Sequence, residues 1–187
     1  MGPINVLINN AGIALVSSLD KTTRDTWRDD IAINLTGAYH VTTAVLDDMK
    51  AGAGRGLGGA IVNVSSVNGL TALGDPAYSA AKAGLISYTK SLAMEYGPLG
   101  IRANAICPGT VRTPIWDERI KSNPNVMDDL KKWYPLGRVA DPKDVAKAAA
   151  FLASDDAAAI TGAVLPVDCG LTAGNAVMAR ELTVADY

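Results

Sequence analysis

Short continuous apolar runs alternate along the chain with stretches of helical spacing, and the fold expectation follows from that order. Ile4 to Ile8 is a β-branched apolar run that stops at Asn9-Asn10-Ala11-Gly12. Because it is continuous rather than alternating, it predicts a strand buried on both faces. Between about Thr23 and Lys50, Trp27, Ile31, Leu35, Val41, Val45 and Met49 recur at helical intervals. A glycine-rich loop, Gly52 to Gly59, leads into a second buried strand at Ile61 to Val64, which ends at Ser65-Ser66. Tyr78 to Tyr96 predicts a second helix, closed by Gly97-Pro98, which cannot continue it. Ile101 to Ile106 predicts a third strand ending at Pro108-Gly109. A longer segment with Trp116, Met127 and Trp133 precedes a third helix opening at Asp141-Pro142. There Asp141 suits the N-cap, Pro142 the first helical position and Asp144 the first turn. Ala163 to Val167 predicts a fourth strand.

Strands alternating with helices predict an α/β fold, a doubly wound parallel sheet with right-handed crossovers. In such sheets ligands sit at the carboxyl ends of the strands. Each predicted strand ends in a polar or glycine cluster: Asn9 to Gly12, Ser65-Ser66, Pro108-Gly109 and Asp168-Cys169-Gly170. A parallel sheet brings all four clusters to one edge, where chemistry is expected.

Composition narrows the class. The chain has 187 residues, 49% hydrophobic and 19% charged, which suits one globular domain and excludes a disordered chain. A net charge of -2 offers no basic surface for nucleic acid or an anionic membrane. Cys107 and Cys169 have no metal-ligand spacing, and no metal site is expected. No apolar run approaches the ~18 residues that span a bilayer, and Met1 to Asn5 has no basic leader. The expectation is a soluble, cytoplasmic domain.

Gly54, Gly56 and Gly59 satisfy G-x-G-x-x-G, but they follow a helix and precede a strand. The dinucleotide fingerprint needs the opposite polarity, so that a helix N-terminus faces the pyrophosphate; a loop is the better account. Tyr78 and Lys82, four apart, share a helical face. An ammonium beside a phenol is expected to lower its pKa, making Tyr78 a usable acid or base. Ser66, at a strand end, can meet that helix start. Asn34 falls mid-helix, where its amide can use a free backbone carbonyl or a water. His40 reads as a helix residue without a catalytic partner. Asp29-Asp30, Asp47-Asp48, Asp128-Asp129 and Asp155-Asp156 read as solvated pairs at helix ends or turns. Cys107 reads as a small buried filler. Trp116, Met127, Trp133 and Tyr134 suit core packing.

These residues carry a resemblance. NNAG (Asn9 to Gly12), INLTGAY (Ile33 to Tyr39), IVNVSS (Ile61 to Ser66), YSAAKAG (Tyr78 to Gly84), IRANAICPGTVRTP (Ile101 to Pro114), PLGRVADPKDVA (Pro135 to Ala146) and ITGAVLPVDCG (Ile160 to Gly170) stand in order. The chain resembles a single-domain short-chain dehydrogenase/reductase throughout. The resemblance implies an oxidoreductase with an Asn34, Ser66, Tyr78, Lys82 tetrad. Tyr78 would exchange a proton with the substrate oxygen while hydride moves between a secondary alcohol or ketone carbon and NAD or NADP. Ser66, rather than Ser65, would hold that oxygen. Lys82 would lower the Tyr78 pKa and bind the nicotinamide ribose, and Asn34 would hold a relay water. Asn10, Ala11 and Gly12 would line the adenosine ribose side, and Pro108, Gly109, Val111 and Thr113 would contact the carboxamide. The resemblance also implies a mobile substrate lid where Trp116, Met127, Trp133 and Tyr134 fall, an account equal to core packing. Partners are expected to be a small alcohol or carbonyl substrate and other copies of the chain, as a dimer or tetramer.

Two departures stand out. Cys169 occupies a place where the family usually has glycine, and a positive φ there would strain it. The family's opening strands and TGxxxGxG turn are not in this sequence, so residues 1–187 are expected to form a partial Rossmann-like domain carrying the catalytic and substrate-binding part. Weak cofactor binding and a bare apolar edge at Ile4 to Ile8 are the expected consequences. The intact tetrad favours inherited oxidoreductase chemistry. The alternative is a catalytically inactive member acting only by association.

Overall fold

The computed structural model describes residues 2–53 and 58–183. Four strands, β1 (Val6–Asn9), β2 (Gly59–Val64), β3 (Ile101–Pro108) and β4 (Val164–Val167), form a sheet in that order. Every pairing is parallel, with Asn9 opposite Asn63, Val64 opposite Ile106 and Pro108 opposite Val167. The four strand ends therefore align along one edge, as the polar clusters predict. Residues 54–57, which hold most of the rejected glycine motif, lie outside the described residues, and Gly59 begins β2.

Helices α1 (Arg24–Ile31) and α2 (Gly37–Ala53) link β1 to β2, and α3 (Pro76–Tyr96) links β2 to β3. Two short helices, α4 (Asp117–Ser122) and α5 (Val126–Leu130), precede α6 (Pro142–Ala153), and α7 (Ala176–Thr183) follows β4. Alternation along each strand divides the core. Ile61, Ile101 and Ala103 pack with Met49 of α2 and with Leu92 and Ala93 of α3. Val62 and Ile106 point the other way, onto Ala149 and Leu152 of α6. Strand order never reverses, yet α6 covers the face opposite α3. The β3–α6–β4 connection thus has the opposite hand to β2–α3–β3, correcting the expectation of uniformly right-handed crossovers. The excursion from Gly109 to Asp141 along the sheet's edge lets the chain change face.

Burial corrects three further expectations. β1 is covered on one face only: Leu7 packs into the core, while Val6 and Ile8 are 42% and 44% exposed. Among the described residues β1 pairs with β2 alone, so its outer edge is bare. The long helix turns Asp30, Asn34, Ala38, Thr42 and Met49 inward and leaves Trp27 and Val41 outside. The apolar spacing misplaced that face because polar side chains occupy much of the buried stripe. Asp30, expected to be solvated, is 1% exposed.

A polar ladder explains part of the stripe. Asn9 Nδ2 donates to Thr42 Oγ1 at 3.2 Å and to Asn63 Oδ1 at 2.8 Å. Asn63 Nδ2 donates to Thr89 Oγ1 at 2.9 Å, which itself donates to the Leu85 carbonyl. Each member satisfies the next, so β1, β2, α2 and α3 are locked in register without an orphaned buried polar atom. At the other end of the sheet Arg102 donates to the Leu152 and Ser154 carbonyls, closing the C-terminus of α6.

Candidate active site

The strand ends open onto a cavity of about 650 Å³. Its wall carries Asn10 and Gly12 after β1, Ser65 and Ser66 after β2, Tyr78 and Lys82 on α3, and Pro108, Gly109, Val111 and Thr113 after β3. Ala11 is exposed beside this wall rather than on it. Trp116, Trp133 and Tyr134 close the far side. Tyr134 also packs with Met127 and Val139, and its hydroxyl accepts from Thr110 N–H at 3.1 Å. These aromatics therefore serve as both cavity wall and core.

Lys82 is buried, and its Nζ donates to the Val64 carbonyl at 2.9 Å and lies 5.5 Å from the Tyr78 ring centroid. Burial pushes the ammonium down to about 8. The four-residue spacing predicts that this cation lowers the Tyr78 pKa. Instead burial raises the phenol above its ordinary value, opposed by a hydrogen bond with Ser66. Desolvation of the phenolate is the largest influence on this group, and the neighbouring carboxylates of Asp75 and Asp30 add to it.

The two serines are divided by their partners. Ser65 Oγ donates to the Lys82 carbonyl at 2.8 Å, and so braces α3 against β2. Ser66 Oγ accepts from Asn68 N–H at 3.1 Å and reaches Tyr78. Gly69 makes the same approach possible, since a Cβ there would stand 2.8 Å from the Lys82 carbonyl oxygen.

Asn34 lies behind Gly12. It sits in a π-helical turn, Ala32–Thr36, between α1 and α2. The wider i−5 bonding of such a turn leaves i−4 carbonyls free, and Asn34 Nδ2 uses one, donating to Asp30 O at 2.9 Å. It also donates to Ile13 O at 2.8 Å, while Oδ1 accepts from Ile13 N–H at 3.1 Å. Both amide hydrogens are thus committed, leaving one Oδ1 lone pair for a water. A Cβ on residue 12 would meet Asn34 Oδ1 at 2.8 Å and Lys82 Nζ at 3.1 Å, so only glycine fits between them.

Other conspicuous residues stay off the cavity wall. His40 is exposed on α2 beside the Tyr39 ring. Cys107 is fully buried and its thiol is pushed up to about 11 by burial, which keeps it protonated. Cys169 adopts φ 52, the left-handed conformation anticipated as strained, in a turn held by Asp168 Oδ2 accepting from Thr172 N–H at 2.8 Å. Arg112 is exposed and not on the wall; the cavity's arginine is Arg119. Sequence reasoning missed Asp30, Asp75 and Arg119. Asp30 is four residues before Asn34 and Asp75 three before Tyr78, so helical spacing held the signal for both. Among the described residues no group of three or more His, Cys, Asp or Glu could hold a metal, and no helix is long and apolar enough to cross a membrane.

Comparison with known proteins places this arrangement. A family model described as enoyl-(acyl carrier protein) reductase matches residues 1–172. An uncharacterised oxidoreductase of Schizosaccharomyces pombe is 50% identical over 182 residues, covering 97% of this chain and 69% of the relative. The crystal structure of a short-chain dehydrogenase/reductase-family oxidoreductase from Burkholderia thailandensis superposes with a TM-score of 0.94 and 58% identity, covering 98% of this chain and 70% of that one. ElxO with NADP bound superposes with a TM-score of 0.84 and 34% identity, covering 91% and 68%. The chain thus spans roughly two thirds of the length of these relatives. With the fold, the order of the motifs and these similarities in agreement, the chain belongs to the short-chain dehydrogenase/reductase family of oxidoreductases.

Proposed function

We propose that residues 1–187 act as one catalytic and substrate-binding unit for NAD(P)-dependent interconversion of a secondary alcohol and a ketone. The observation that carries this reading is the meeting of Ser66, Tyr78 and Lys82 on one cavity wall, with Lys82 Nζ 5.5 Å from the Tyr78 ring centroid. A bound nicotinamide would accept or supply the hydride. The residues present suit its nicotinamide–ribose half: Gly12 keeps the approach to Lys82 open, and Pro108 to Thr113 form the facing wall.

The protein's own groups supply the proton chemistry. Tyr78, its pKa raised by burial, holds its proton and would donate it to the carbonyl oxygen as hydride arrives. Ser66 holds that oxygen. Lys82, near half-charged around pH 8, returns the proton and anchors the ribose hydroxyls. Asn34 holds the Ile13 backbone and one water.

The test is oxidation of reduced nicotinamide by the purified chain with a panel of ketones. The expected result is turnover that falls roughly 10²- to 10⁴-fold in Tyr78→Phe. No hydride transfer to any ketone, or equal rates in Tyr78→Phe, overturns the reading. A second reading is that the chain works without catalysis, by association. The exposure of Val6 and Ile8 on β1 supports it. Assembly with other copies through that strand, in a chain unable to transfer hydride, is its signature.

A further inference from the structure

Two charged side chains on the cavity wall take no part in the proposed proton transfer: Asp75 and Arg119. Asp75 precedes the first turn of α3, three residues before Tyr78, and both line the same cavity. Its carboxylate makes no hydrogen bond or ion pair with any described residue, although it is half-buried. Its backbone is held at φ 48, ψ 68, the left-handed region, with its N–H donating to Ser17 O at 3.3 Å and its carbonyl accepting from Ser79 N–H at 2.8 Å. The cavity around it is mostly apolar, with Leu15, Leu73, Ile115, Trp133 and Leu171 on the wall.

We propose that Asp75 determines specificity, and that the substrate is an amphiphilic alcohol or ketone with an apolar body and a second hydroxyl beside the reacting carbon, whose hydrogen Asp75 accepts. This rests on the reading of Tyr78 and Ser66 as the reaction centre. A substrate whose reacting oxygen lies between those two residues presents its neighbouring atoms to the start of α3. An ionised carboxylate only accepts hydrogen bonds. A wholly apolar substrate would strip water from Asp75 and leave it unpaired, whereas a hydroxyl compensates for the lost water. A site built this way rejects the analogue that lacks the hydroxyl. Arg119 acts on the same carboxylate and would oppose a cationic substrate group, so a neutral donor is selected. Arg119 stays in place by stacking on Trp116, 4.9 Å from the ring centroid.

The experiment is a ligand-observed NMR titration of the full chain with 1-phenyl-1,2-ethanediol and 1-phenylethanol, which differ by one hydroxyl. The expected result is binding of the diol about tenfold or more tighter than the mono-alcohol. Asp75→Gly removes the carboxylate and suits φ 48, so it should fold and lose the contrast. Asp75→Asn also tolerates this backbone and keeps a neutral acceptor, so part of the contrast should remain. No preference in the wild-type chain, whether both ligands bind alike or neither binds, overturns the proposal. So does a full preference in Asp75→Gly. The measurement needs no turnover: failed hydride transfer with an intact contrast counts against the reaction reading alone, and the converse against Asp75 alone.

Discussion

Lys82 Nζ donates to the Val64 carbonyl at 2.9 Å, so the ammonium facing Tyr78 is tied to the second strand and kept from water. The consequence is a pH-dependent cost. The folded pKa, about 8, is below the ordinary 10.5. Between those values the unfolded chain binds the extra proton, so stability rises with pH; below about 8 the burial penalty is fully present. At about 1.4 kcal/mol per unit the swing is at most roughly 3.5 kcal/mol. Denaturant unfolding of wild type and Lys82→Met should give a stability difference that is flat below pH 8 and moves in favour of wild type up to pH 10.5. A difference that stays flat across that interval sinks the prediction.

Gly12→Ala should destabilise the chain by about 1–3 kcal/mol, because the new methyl has no room before Asn34 Oδ1 and Lys82 Nζ. The cost should shrink in an Asn34→Ala background, where the 2.8 Å contact is gone. Thermal unfolding of the single and double variants checks this; additive losses would show that the clash is not with Asn34.

Asp30 gives a pH dependence of the opposite sign. Burial raises its pKa above 3.8, offset in part by a hydrogen bond from the Leu15 backbone. Here the folded state keeps the proton longer, so this group costs stability as pH rises from 3.8 through the folded value. Asp30→Asn, which retains an acceptor for Leu15, should therefore gain stability over wild type at pH 7 but not at pH 3. Urea midpoints at the two values settle it, and an equal effect at both would count against a buried charge.

Among the described residues β1 pairs with β2 alone and exposes Val6 and Ile8, so residues 1–187 by themselves are predicted to self-associate. Val6→Lys places a charge on a strand residue that is 42% exposed and should reduce light scattering of concentrated protein, with little change in melting temperature. Unchanged scattering would locate association elsewhere.

Much of this was legible along the chain. The four strands, their polar ends and the α3 helix follow from local runs and breaker residues, and Tyr78 and Lys82 share a helical face by spacing alone. The interior phase of α1–α2 was not legible, because Asp30, Asn34 and Thr42 occupy places that a hydrophobicity argument assigns to apolar side chains. Their burial depends on partners from β1, β2 and the Ile13 loop. The roles of Ser65 and Ser66 likewise depend on where α3 lies, since only its position gives one serine the Lys82 carbonyl and the other the Tyr78 phenol.

By itself the sequence determined the kinds of elements, their parallel order and the residue types at the strand ends, because propensity and periodicity act over neighbouring residues. Only the tertiary structure decided which face α6 covers, how far burial raises Tyr78 and lowers Lys82, and which carboxylate faces the cavity unpaired. Desolvation and pairing are set by groups distant in sequence, and no local pattern encodes the water that folding removes.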